Sequence, residues 1–83
     1  MAGYNTKIEH NMVTYIVQTQ DLGSPTHCIE SLIYKSGRTL PPRKTFYSHL
    51  LSSPSLKEEI LQILEEQHKA VLKTISEGKF DHA

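Results

Sequence analysis

The sequence predicts an α+β domain, an antiparallel four-stranded β-meander followed by one long C-terminal helix packed on one sheet face. Three observations carry this expectation. Residues 6–47 are rich in β-formers and broken at turn-like dipeptides. Residues 55–77 repeat apolar side chains at helical spacing. The strands come first and the helix last, an order that segregates the helix to one side of a sheet. The 83 residues are read as a single domain, with 78–83 as a short tail.

Thr6 to His10 is the first strand, and Asn11-Met12 sits where a two-residue hairpin turn is expected. Asn tolerates a left-handed backbone but Met does not, so a loop of three or four residues fits as well. Val13 to Gln20 alternates most clearly. Val13, Tyr15, Val17 and Thr19 share one face; Thr14, Ile16, Gln18 and Gln20 share the other. Asp21 to Pro25 has loop composition. Thr26 to Lys35 is the third strand, with Ile29 and Ile33 on one face and Cys28, Leu32 and Tyr34 on the other. Apolar residues on both faces indicate a central strand or a second covered surface. Ser36-Gly37 is the next turn, and Arg38 to Leu40 starts the returning strand. Pro41-Pro42 removes two backbone donors, so this stretch is an edge or a break in pairing. Residues 43–51 fit a continued strand to Tyr47 followed by a turn, or a short helix; strand continuation is preferred.

The helix begins at Ser55, where Glu58 three residues later completes a capping-box pattern, or at the competing start Ser53-Pro54 with proline in the first turn, and it stops at Gly78. Ile60, Leu64, Val71 and Ile75 form its apolar centre, to be packed against Val13, Tyr15, Val17, Ile29 and Ile33 of the sheet. Leu61 and Leu72 widen one flank; Leu56 and Ile63 widen the other. At about 33 Å the helix overhangs strands of about 20 Å. A chain this short also has a marginal core. Both arguments predict a homodimer, with Leu61, Leu64, His68 and Leu72 in its interface; the alternative is that the short segment Phe46 to Leu51 packs on the second flank of the helix. Gln67 and His68 fall inside the apolar arc. A hydrogen-bonded polar pair at a helix seam accounts for both. The alternative is a pH-sensitive, register-setting contact between subunits.

Composition narrows the function classes. Formal net charge is zero, with nine basic and nine acidic residues, which speaks against attraction to nucleic acid or anionic membrane as the main driving force. The balance conceals a dipole. Residues 1–50 hold five basic and three acidic side chains, and residues 51–83 hold four and six. No apolar run is long enough to span a membrane, and Met1-Ala2-Gly3-Tyr4 does not open a secretory signal. One cysteine excludes an internal disulfide, and together these features predict a cytoplasmic protein.

No enzyme signature emerges. His27-Cys28 suggests a base beside a nucleophile, but neighbouring strand residues point to opposite faces, so Cys28 is expected to be buried and inert. The five histidines (His10, His27, His49, His68, His82) match no zinc spacing, and no metal or cofactor is expected. The helix glutamates are expected on its solvated face. The most informative surface stretch runs from Tyr34 to Tyr47, where the segment Lys35–Lys44 carries four basic residues and no acidic one, flanked by aromatics. The expected partner-binding residues are Tyr34, Lys35, Arg38, Arg43, Lys44, Phe46 and Tyr47. The expected function is a non-catalytic protein-interaction module, homodimeric and cytoplasmic. The alternative is a small nucleic-acid-binding protein that uses the basic hairpin 35–44.

Overall fold

The computed structural model describes residues 3–83. Strands β1 (Gly3–His10), β2 (Val13–Asp21), β3 (Cys28–Lys35) and β4 (Arg38–Phe46) form one antiparallel sheet in the order β1-β2-β3-β4. A 3-10 turn at Ser48–Leu50 leads to helix α1 (Leu56–Ser76), which packs against β1, β2 and β3. This is the expected α+β meander with the helix on one sheet face.

Both hairpin turns contain two residues with positive φ. Asn11 has φ 50° and Met12 φ 66°; Ser36 has φ 49° and Gly37 φ 82°. Paired left-handed residues match the right-handed twist of the flanking strands, which makes the tight turn outweigh the strain at Met12. Met12 is fully exposed there. His10 pairs directly with Val13, so the longer loop does not form. Residue 27 also departs from expectation. His27 has φ 51° and stays in the loop, with its N–H donating to the Gly23 carbonyl at 2.7 Å. β3 therefore begins at Cys28.

Pairing between β3 and β4 breaks at the prolines. Ile33 lies opposite Leu40 and Ser31 opposite Arg43, a bulge that leaves Leu32 facing Pro41-Pro42. β4 nevertheless continues to Phe46, as preferred for this stretch.

The helix covers the sheet face that carries Tyr15, Val17, Thr19, Ile29, Ser31, Ile33 and Lys35. One apolar cluster joins Tyr15, Val17, Ile33, Leu40, Val71 and Ile75. A second joins Ile29, Tyr47 and Leu64. Val13 and Ile60, both expected in the core, are half-buried, one beside the first turn and the other on a helix flank. The capping box does not form. Ser55 makes no side-chain cap, and Ser53 Oγ instead accepts the Ser55 N–H at 3.2 Å. The helix ends in a Schellman motif. Lys79 N–H donates to the Thr74 carbonyl and Gly78 N–H to that of Ile75, with Gly78 at φ 75°.

Candidate partner-binding face

Alternation along β3 and β4 divides the predicted patch between two faces. Tyr34, Lys44 and Phe46 lie on the face the helix leaves open. Tyr34 pairs with Ile16 of β2, and Phe46 lies opposite Cys28 at the far end. Leu32, between them on β3, shares that face. Ile16, Leu32 and Tyr34 are half-buried, while Phe46 keeps 56% of its surface exposed. Lys44 reaches Glu30 across the strands at 3.8 Å. Ile16, Leu32 and Tyr34 thus form an apolar patch on β2 and β3, and the Lys44–Glu30 pair separates it from Phe46. Ile16 and Leu32 were not among the expected site residues, although their period-2 match to Tyr34 places them on the same face.

The remaining basic residues turn to the helix side and are occupied there. Lys35 is only 7% exposed. Its Nζ donates to the carbonyl oxygens of Phe80 (2.7 Å), Asp81 (3.1 Å) and Ala83 (3.2 Å). Arg38 Nη2 donates to the Ala83 carbonyl oxygen at 3.1 Å. The Arg43 guanidinium sits 5.6 Å from the centre of the Phe80 ring, at cation–π distance. These three side chains hold the tail against the sheet. Lys35 thus leaves the expected surface, because a buried ammonium needs the carbonyls that surround it.

Tyr47 also leaves it. The chain turns away from the sheet after Phe46, and Tyr47 drops into the core at 2% exposure, against Ile29 and Leu64. Its hydroxyl donates to Asp21 Oδ1 at 2.6 Å. Burial, then the hydrogen bond to the Asp21 carboxylate and its charge, push the phenol up to about 12.

The expected subunit contacts divide in a similar way. Leu64 is fully buried and His68 is 5% exposed, both against the chain's own sheet, so neither is available to a second subunit. His68 Nε2 lies 2.7 Å from Thr6 Oγ1, and its ring stacks on Tyr4 with centroids 5.4 Å apart. Gln67 Nε2 donates to Ser31 Oγ at 2.9 Å, and its Oε1 accepts from Thr45 Oγ1. The pair is a hydrogen-bonded helix–sheet seam. Leu72 is half-buried and Leu61 is 45% exposed. A groove of about 310 Å³ beside Leu61 is lined by Asp21, Leu56, Lys57 and Ile60.

His27 and Cys28 are separated in role as well as direction. The His27 ring packs edge-on to Tyr47, with centroids 5.8 Å apart. Cys28 is buried, with Sγ 3.5 Å from the Ile29 carbonyl oxygen, and burial pushes its thiol up. A thiol held protonated is a poor nucleophile. Among the described residues no group of three or more His, Cys, Asp or Glu side chains could hold a metal ion. No helix among them is long and apolar enough to cross a membrane. Comparison with protein-family models, curated proteins and solved structures finds no match.

Proposed function

We propose that the protein is a non-catalytic protein-interaction module of the cytosol, that it works as a homodimer, and that the open sheet face docks its protein partner. One observation carries this reading. A single helix covers one face of the sheet, and the other presents partly exposed Ile16, Leu32 and Tyr34 and a 56%-exposed Phe46, with no helix over it among the described residues. An exposed aromatic, a cross-strand ion pair and a partly exposed apolar patch on one face suit a protein interface. The buried thiol is consistent with a reducing compartment. The nucleic-acid alternative is weakened by the occupation of Lys35, Arg38 and Arg43 by the tail and of Lys44 by Glu30.

The test is capture from extract of the native host, with wild type and the Phe46→Ser variant as bait. Phe46 is exposed, so the variant should melt with the wild type and lose the captured protein. Equal capture by both baits would remove the open face as the docking surface. Tight binding of mixed-sequence single-stranded RNA or DNA, falling steeply between two salt concentrations, would favour the alternative.

A further inference from the structure

We infer that β1 is the subunit interface: a second copy of this chain adds its own β1 antiparallel to the first, in the register that places Lys7 opposite Glu9. The inference rests on the homodimer in the reading above and supplies its surface.

The two edges of the sheet are unequal. β4 is interrupted by Pro41-Pro42 and a shift in register. β1 pairs with β2 through eight consecutive residues, Gly3 to His10, without proline or bulge. Its outer side is the end of the sheet. A long regular edge is a template for another strand unless something blocks it; β4 is blocked by prolines and a bulge, whereas β1 carries only Lys7 and Glu9, charges that a second copy can pair.

The turn fixes which backbone groups β1 offers. His10 and Val13 close a two-residue hairpin, so they form a hydrogen-bonded pair. Hydrogen-bonded pairs recur at every second residue, so Thr6, Ile8 and His10 direct their N–H and C=O groups toward β2. Asn5, Lys7 and Glu9 direct theirs outward. An added antiparallel strand must set outward residues against outward residues.

That rule leaves few two-fold registers. Lys7 against its own copy, or Glu9 against its own copy, sets like charges directly opposite, which is destabilising. Asn5 against Lys7 leaves Glu9 facing Gly3, and Asn5 against its own copy leaves Lys7 facing Gly3. Lys7 against Glu9 yields two opposite-charge pairs related by the axis. It also sets Ile8 opposite the Ile8 of the second copy, and Thr6 opposite its His10. Among the described residues the ion pairs are His10–Asp81, Lys44–Glu30, Lys69–Glu65 and Lys79–Glu77, so Lys7 and Glu9 are uncommitted.

Apolar surface gathers at the same edge. Ile8 and Leu72 are half-buried and pack against the same core cluster. The flank of α1 that bears Leu61 and Leu72 also bears His68, whose contacts with Tyr4 and Thr6 place that flank over β1. A second copy at this edge would lie beside the partly exposed leucines. The sequence-level expectation of a helix-flank dimer is thereby joined to a strand edge.

Sedimentation equilibrium of the wild type, Lys7→Glu, Glu9→Lys and a mixture of the two variants tests the inference. Lys7 and Glu9 are exposed, so both variants should keep the wild-type melting profile. The wild type should sediment as a dimer. Each reversal turns two attractive pairs into two repulsive ones and should raise the dissociation constant about tenfold or more. The mixture should recover dimer. One chain of the mixed pair is then acidic at both positions and the other basic at both, so each cross-strand pair is again of opposite charge. A wild-type dimer indifferent to both reversals would overturn the β1 interface and leave the homodimer standing. A wild-type monomer at all accessible concentrations would overturn both.

Discussion

His68 Nδ1 lies 2.8 Å from Thr19 Oγ1, and this contact ends a chain of hydroxyls whose direction is set at Gln67. Gln67 Nε2 is within 3.3 Å of the Ile29 carbonyl oxygen and 3.2 Å of that of Arg43. Carbonyls only accept, so the amide nitrogen faces Ser31 and donates to it. With Ser31 donating to Thr19 at 2.7 Å and Thr19 to Nδ1, each of these hydroxyl hydrogens has an acceptor, whereas the reverse direction leaves that of Ser31 without one. The imidazole hydrogen is thereby assigned to Nε2, which donates to Thr6.

The first prediction concerns acid. Burial pushes the His68 imidazole below its ordinary value, because no charged partner compensates the lost hydration. The unfolded chain then binds the proton more tightly. This contribution to stability is complete above about pH 6.5 and is lost as pH falls below it toward the folded-state pKa. A second proton on Nδ1 would also reverse Thr19 and Ser31, leaving the Ser31 hydrogen without its acceptor. Melting temperatures measured from about pH 7.5 to about pH 5 should fall in the wild type and vary less in His68→Gln. Nitrogen NMR at neutral pH should find Nδ1 unprotonated.

Tyr47→Phe should cost about 1–3 kcal/mol, since it deletes a hydrogen bond to a carboxylate and leaves Asp21 Oδ1 with only the Gly23 N–H. Denaturant midpoints at neutral pH measure it. The alkaline limb provides a second reading. The Tyr47 phenol is raised, so its contribution is intact below about pH 10 and lost as pH rises through about 12. Tyr47→Phe should lack that part of the alkaline loss.

Turn residues should respond with opposite signs. Met12→Gly relieves a left-handed β-turn residue with no side-chain burial to lose, and should stabilise by about 0.5–1 kcal/mol. Gly78→Ala forces a Cβ into φ 75° and brings it 2.9 Å from Asp81 Oδ2, so it should destabilise by about 1 kcal/mol or more. Chemical denaturation of both variants checks the pair.

Cys28 should react slowly with thiol reagents in the native protein and quickly after denaturation, because the sulfur is both buried and held protonated. Equal rates in the two states would contradict this placement.

The elements were legible in the sequence wherever periodicity and turn chemistry agreed. Val13 to Gln20 shows period 2, and Ile60 to Ile75 shows helical spacing with glycine at its end. The seam was legible too, since Gln67 and His68 interrupt an apolar arc and needed partners. The binding patch was less so. Tyr34 to Tyr47 is continuous in sequence, but adjacent strand residues face opposite ways, and the tail residues that occupy Lys35 and Arg38 lie some 45 positions away. Tyr47 reads as a surface aromatic until the Asp21 carboxylate comes into reach. Such long-range contacts leave no local signal.

Pro41-Pro42 acts as a change of phase in β4. Before it, even-numbered Leu40 points to the helix; after it, odd-numbered Arg43 and Thr45 do. The extra residue is what turns Phe46 outward and lets Thr45 meet Gln67. Closing the bulge with both residues retained would impose a single alternation through the strand. Lys44 and Phe46 would then point beneath the helix, and Thr45 would take a place on the open face. The identity of the exposed surface therefore depends on two residues sharing one place opposite Leu32, whatever side chains follow them.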